Sequence, residues 1–194
     1  MTHKGLSQEA VVLAAAELIE RRGRAAFSMR LLADKLEIKT ASLYNHVEGM
    51  DGLLAEVCRY TLRQMQAAEL CSIEGKHGEE TVYAMANTCR RFAKEHRELY
   101  WLTMELAARD SRVLDDAAVS FTEPIKQMLR DFNLREEYAI HFRRLFRAVV
   151  HGFVSQEDEG FFSHYPVSSD ESFEFAVRCF IDNLKREESR RGDE

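Results

Sequence analysis

An all-α chain, with a small N-terminal head and a larger helical body, is what this sequence predicts, and three observations predict it. The 194 residues include only 2 prolines and 9 glycines, too few for the many tight turns of sandwiches and barrels. Apolar residues recur at helical spacing through most of the chain. And residues 28–47, SMRLLADKLEIKTASLYNHV, set two short helical patterns almost end to end, the second with more polar tips than a core helix of that length carries.

The elements follow in order. SQEAVVLAAAELIERR, residues 7–22, forms the first helix. Ser7 is its N-cap, Glu9 sits in its first turn, and Gly23 ends it. Ala10, Val11, Ala14, Ala15, Leu18 and Ile19 make its apolar face. Ser28 caps a second helix in which Leu31, Leu32 and Leu36 face inward. Glu37-Ile38-Lys39 is a three-residue connection, and TASLYNHV follows with Leu43 and Val47 inward, one turn apart. Gly49 breaks the chain before a long helix over about 50–71. After the loop SIEGKHGEE, helical patterns resume at 79–95, 97–108, 111–132, 135–159 and 169–189, making about nine helices in all. Pro124 lies inside the 111–132 pattern, where its missing N–H should kink or open the helix. GFFSHYPVS, 160–168, is a loop.

Apolar residues make up 45% of the chain, enough for a sizeable core, and no run is long and apolar enough to span a bilayer. The opening MTHKGLSQEA lacks the basic-then-apolar pattern of a signal peptide, which places the chain in the cytoplasm as an expectation. Cys58, Cys71, Cys89 and Cys179 are widely spaced and read as reduced, mostly buried small hydrophobes. They have no metal-ligand spacing, so no metal and no cofactor are expected. Net charge is -6, but residues 1–48 hold seven Lys/Arg against six Asp/Glu, so the acidity lies in the body. A mildly basic head on an acidic body fits DNA binding by one end only.

Three helices in under fifty residues, the last two joined by a short turn, are a helix-turn-helix pattern. Its second helix lies in the major groove, with its N-terminal residues at base edges. The polar tips are then unburied because they face DNA. Lys39, Thr40, Ala41 and Ser42 lead. Tyr44, Asn45 and His46 sit further along, within reach of phosphate oxygens, and Arg30 points to the flanking backbone. A solvated surface helix in an ordinary bundle is the competing reading of the same residues.

Residues 28–54, SMRLLADKLEIKTASLYNHVEGMDGLL, resemble the signature of the TetR family of bacterial regulators. The Ser42-Leu43-Tyr44 step, His46 and a first helix ending at Gly23 all fit. VVHGFVSQEDEGFF (149–162) and DESF (170–173) resemble the branch whose ligand domain carries a His-Gly motif. The chain departs from the family at Glu37, where glycine is frequent, at Lys39, where Ser or Thr is, and at Met50, where a lysine is common. The branch's tryptophan is also missing, with Phe146-Arg147 near its place.

The resemblance implies a helix-turn-helix DNA-binding domain over 1–48 and a helical ligand-binding and dimerisation domain over 49–194. It implies a homodimer that binds a near-palindromic double-stranded operator and is most often a repressor, released by a small effector. The last two helices would pair the copies, through an apolar stripe of Phe173, Val177, Phe180, Ile181 and Leu184, which could instead pack within one chain. The effector would meet Met65, Met85, Cys89, Trp101, Met104, Phe121, Met128, Phe142 and Phe146, an apolar and sulfur-rich wall that suits an apolar or aromatic ligand. Each of these is also an ordinary core residue. His141 and His151 are the polar members, His151 beside Gly152.

No nucleophile elbow, zinc-protease helix or phosphate-cradling glycine loop occurs, so no enzyme is expected. Asp115-Asp116 and Glu136-Glu137 are neighbours whose carboxylates diverge on a helix. The remaining alternative is a helical small-molecule-binding or scaffold protein that has lost operator binding.

Overall fold

The computed structural model describes residues 6–109 and 111–192, with backbone alone for 111, 112, 114–118, 191 and 192. Nine α-helices and one short 3-10 helix (Arg24–Ala26) are found among the described residues, and no strand. They are α1 Gln8–Arg22, α2 Met29–Lys35, α3 Thr40–Leu43, α4 Gly49–Ile73, α5 Glu79–Glu95, α6 Arg97–Arg109, α7 Ser111–Leu129, α8 Glu136–Asp158 and α9 Ser169–Gly192. None of the described helices is long and apolar enough to cross a membrane. α7 stays helical through Pro124 to Leu129, so the chain does not open there as its proline suggests.

The helix starts follow side-chain chemistry. Ser7 Oγ accepts from the amide of Ala10 at 3.1 Å, and Ser28 Oγ from that of Leu31 at 3.3 Å. Each satisfies one of the orphan donors of a first turn. Lys39 stands at the N-cap of α3 and makes no such bond. α3 is also shorter than its sequence pattern. Only Thr40–Leu43 is α-helical, and residues 44–47 continue in tight turns, closed by Val47 N–H to Leu43 O at 3.1 Å.

The chain forms two compact units. Of the described residues, the first takes those up to Gln64 and those from Glu95 to Ser120, and the second takes Met65–Lys94 and those from Phe121 on. α6 therefore packs in one unit with α1–α3. Val11, Ala15 and Ile19 of α1, Leu32 of α2, Leu43 of α3, Leu53 and Val57 of α4, and Leu99 and Leu102 of α6 share one core. At roughly 1.5–3 kcal/mol for each large aliphatic side chain buried, this core holds the short helices α2 and α3, which could not persist alone. Polar contacts between α6 and the end of α1 add to it. Glu98 Oε2 accepts the amide of Arg24 at 3.3 Å, and the Arg24 guanidinium is ion-paired with Glu105. Gly23 turns the chain here with φ 77°, a backbone conformation that glycine adopts without strain.

The second unit has its own core, of Val82 and Met85 on α5, Ile125 and Met128 on α7, Phe142, Phe146 and Val150 on α8, and five residues of α9. Arg90 of α5 is buried beside it. Its Nε donates to Glu157 Oε2 at 2.9 Å, and it is ion-paired with Asp170 at 2.8 Å. Its guanidinium lies 4.7 Å from the ring centre of Phe173. Partial burial would raise the Glu157 carboxyl, but hydrogen bonds from Arg90, Ser169 and Lys94 outweigh it and hold the group at about 2. This clamp ties α5 to the end of α8 and the start of α9.

Candidate functional site

The turn before α3 aims its side chains. Glu37 has φ 55°, the left-handed region that glycine favours. Its amide donates to Asp34 O at 3.2 Å, and that of Ile38 to Ala33 O at 3.0 Å. This pair of bonds is the Schellman closure of a helix, built here on a glutamate. Leu43 and Val47 are then buried in the first core. Arg30, Lys39, Ala41, Tyr44 and Asn45 are exposed, Tyr44 at 59%, while Thr40, Ser42 and His46 are half-buried. The eight expected DNA-contacting residues therefore lie on α2, the turn and the α3 segment, with the apolar residues turned away. Met50 packs partly buried against the core, so no cation stands where the family has its lysine.

The structure adds two residues that the motif does not contain. A groove of about 590 Å³ runs beside the α3 segment, lined among others by Tyr44, Asn45, His46, Gln8 and Arg59. Gln8 comes from the first turn of α1. Arg59 comes from α4 and is ion-paired with Glu56 at 2.6 Å. Neither position shows a local sequence signal, because it is chain topology that brings it to the groove.

The expected effector residues fall in both units. Trp101 and Met104 belong to the first unit, on α6, where Trp101 packs edge-on to Tyr100 with ring centres 5.3 Å apart. His141 is exposed on α8, 3.9 Å from Glu137, and does not line an interior, because the inward face of α8 is set by Phe142, Phe146, Val150 and Val154. Met65, Met85, Phe121, Met128, Phe142 and Phe146 are buried in the second unit, and Cys89 and His151 are half-buried there. Phe142 and Phe146 both pack edge-on against Phe180, at 5.6 and 5.5 Å, which is ordinary core packing.

Sequence reasoning missed the charged members of this region. Glu69 of α4 is buried, and the Cys89 thiol donates to its Oε1 at 3.1 Å. The Arg147 guanidinium lies 4.2 Å from the ring centre of Phe121. Burial raises the Glu69 carboxyl to about 7, against smaller opposing pulls from Cys89 and Arg147. Burial first, and the Arg147 charge second, lower His151 from its ordinary value. Of the four cysteines only Cys58 is buried. Cys89 and Cys179 are half-buried and Cys71 is exposed, and all four are free thiols. The expectation of mostly buried cysteines is corrected accordingly.

The apolar stripe of α9 is also corrected. Phe173, Val177, Phe180, Ile181 and Leu184 are 0–4% exposed within the single chain, packed with Phe142, Phe146 and Val150 of α8. Two amphipathic helices have turned their apolar faces toward each other, which leaves this stripe unavailable to a second copy. Among the described residues no group of three or more His, Cys, Asp or Glu side chains could hold a metal ion.

Comparison with known proteins agrees with this geometry. Residues 11–57 match the family "Bacterial regulatory proteins, tetR family", and residues 82–180 match "Tetracyclin repressor-like, C-terminal domain". A Bacillus subtilis protein, the "Uncharacterized HTH-type transcriptional regulator YobS", is 28% identical over 183 residues, 93% of each chain. A solved protein of unknown function from Rhodococcus sp. RHA1 superposes with a TM-score of 0.77 at 22% identity, covering 94% of this chain and 97% of that one. Apo ActR from Streptomyces coelicolor gives 0.73 at 23%, covering 98% and 100%. ActR in complex with actinorhodin gives 0.69 at 23%, covering 94% and 98%. With one match on the helix-turn-helix and a second over about half of the chain, the protein belongs to the TetR family of transcriptional regulators.

Proposed function

We propose that this regulator is a homodimeric repressor that binds a near-palindromic operator and releases it when a small molecule occupies the helical body. The observation that carries the reading is the polar face of the α3 segment. Lys39, Ala41, Tyr44 and Asn45 are exposed directly over the buried pair Leu43 and Val47. In this arrangement Lys39, Thr40, Ala41 and Ser42 reach base edges, while Arg30, Tyr44, Asn45 and His46 position the head on phosphates. A two-fold dimer presents two such faces to successive major grooves, hence the near-palindrome.

The effector belongs to the body within residues 49–194, as ActR taking actinorhodin supports by fold. α4 runs from the head motif into the second unit and is the continuous element along which effector state reaches the head. Couplings of this kind are typically about 1–3 kcal/mol and are reciprocal, so operator and effector weaken each other equally. With the α9 stripe spent inside the chain, the pairing surface is the outward face of α8 and α9. Leu145, Ala148 and Gly152 are exposed there, as is Phe175 at 58%.

Selection of binding sites from random-sequence DNA at physiological salt tests the reading. A recovered near-palindrome whose affinity falls steeply with salt supports it, since phosphate contacts release counterions. The absence of any enriched site would favour a helical small-molecule binder that has lost its operator.

A further inference from the structure

The second unit keeps in its interior a carboxylate to which neither the packing nor the DNA interface assigns a task. Glu69 is only 5% exposed. A carboxylate offers about four acceptor positions, and the hydrogen bond that reaches this one comes from the Cys89 thiol at 3.1 Å, a weak donor. The positive charge facing it is Arg147 on α8, which spreads its guanidinium over the Phe121 ring at 4.2 Å. His151 faces the same guanidinium and is itself held toward its neutral form. A glutamine or an apolar residue would sit in such a place at less cost than an acid with one weak donor. Buried apolar residues of the same three helices stand close in sequence to this cluster. Met65 lies one turn before Glu69 on α4, Met85 one turn before Cys89 on α5, and Phe146 beside Arg147 on α8, both Met65 and Met85 being buried.

We infer that Glu69 is the recognition group for the effector, and that the effector is an apolar, aromatic-bodied molecule carrying a protonated amine. This rests on the reading of the second unit as the effector-binding part. An ammonium group supplies the strong donors and the full charge that the Cys89 thiol does not, and the Met and Phe side chains take the hydrocarbon body. A neutral isostere leaves the acid to take up a proton instead, and an anionic one meets a like charge.

The test uses three probes with one body, 2-(1-naphthyl)ethylamine, 2-(1-naphthyl)ethanol and 1-naphthylacetate, titrated calorimetrically into the full-length protein. The amine is expected to bind about tenfold or more tighter than the alcohol, the worth of a charge-assisted hydrogen bond. Its affinity should rise between pH 6 and pH 8 as Glu69 ionises. Titration at pH 7 in phosphate and in Tris should show release of about half a proton per amine bound, because binding forces ionisation of a carboxyl at about 7. Glu69→Gln should abolish both the preference and the proton release while leaving alcohol binding intact. Equal or better binding of the alcohol or the carboxylate overturns the amine assignment and leaves the effector-binding reading standing. An unchanged amine preference in Glu69→Gln overturns the role of Glu69. Failure of all three probes to bind the wild-type protein counts against the effector-binding reading itself.

Discussion

Glu37 occupies a left-handed backbone position, φ 55°, that the Schellman closure of α2 requires. A side chain there costs about 1–2 kcal/mol relative to glycine, offset in part because glycine loosens the unfolded chain. Glu37→Gly should therefore stabilise the protein, by about 0.5–1 kcal/mol in urea unfolding, and a loss of stability would contradict the assigned turn. The sequence exposes this site plainly: Glu37 opens a short turn at a place where glycine is frequent in the family, and takes it without glycine's freedom. Glu69 is the opposite case. Nothing in the surrounding stretch QMQAAELCS distinguishes a buried glutamate from a solvated one, and only its place opposite the Cys89 thiol of α5 does. Its folded value of about 7 lies above the ordinary 4.5. The folded state thus holds the proton more tightly than the unfolded chain. The carboxyl costs nothing below pH 4.5, and stability falls as pH rises from 4.5 to about 7, by up to about 3 kcal/mol before levelling. Glu69→Gln should leave thermal stability nearly unchanged at pH 4.5 and raise it at pH 8. A uniform shift across that range would contradict the buried acid.

At the scale of elements, the helix boundaries were legible because they rest on local chemistry: Ser7 and Ser28 accept the first-turn amides as their positions imply. α3 was less so. Its eight-residue pattern yields one α-helical turn and then tighter turns, since Lys39 provides no cap and the buried anchors Leu43 and Val47 need only one turn between them. This makes Lys39 informative. Lys39→Ser should add the missing cap and stabilise α3 by about 0.5–1 kcal/mol. The same change removes a cation from the proposed base-reading end of α3, so operator affinity should fall by about 1–3 kcal/mol per site contacted, with discrimination relaxed at the base that Lys39 meets. Stability up and affinity down in one variant separates the two roles of the position. Affinity that stays unchanged would remove Lys39 from the interface. The stripe on α9 was legible as a stripe and not as to its partner. Heptad-like spacing of Phe173, Val177, Phe180, Ile181 and Leu184 says that the face is buried. What buries it depends on the complementary face of α8, and periodicity alone carries no information on whether that helix comes from the same chain.

For the whole molecule, that internal pairing narrows where the proposed dimer could pair and how it can be tested. A residue spent in the core and a residue spent between copies fail differently when changed. Phe180 touches both Phe142 and Phe146 within the chain, so Phe180→Ala should cost about 3–5 kcal/mol and lower the melting temperature of the chain itself. Leu145 and Phe175 lie exposed on α8 and α9, and a charge placed there meets water in the monomer. Leu145→Glu with Phe175→Glu should leave the far-ultraviolet circular dichroism of a helical chain intact and convert the proposed dimer to monomer in sedimentation velocity. Operator affinity should collapse with it, because each head alone retains only half of the phosphate and base contacts. A double variant that sediments as the wild type would place the pairing surface elsewhere on the molecule. One that unfolds would show that the outward face of α8 and α9 serves the monomer, as the inward one already does.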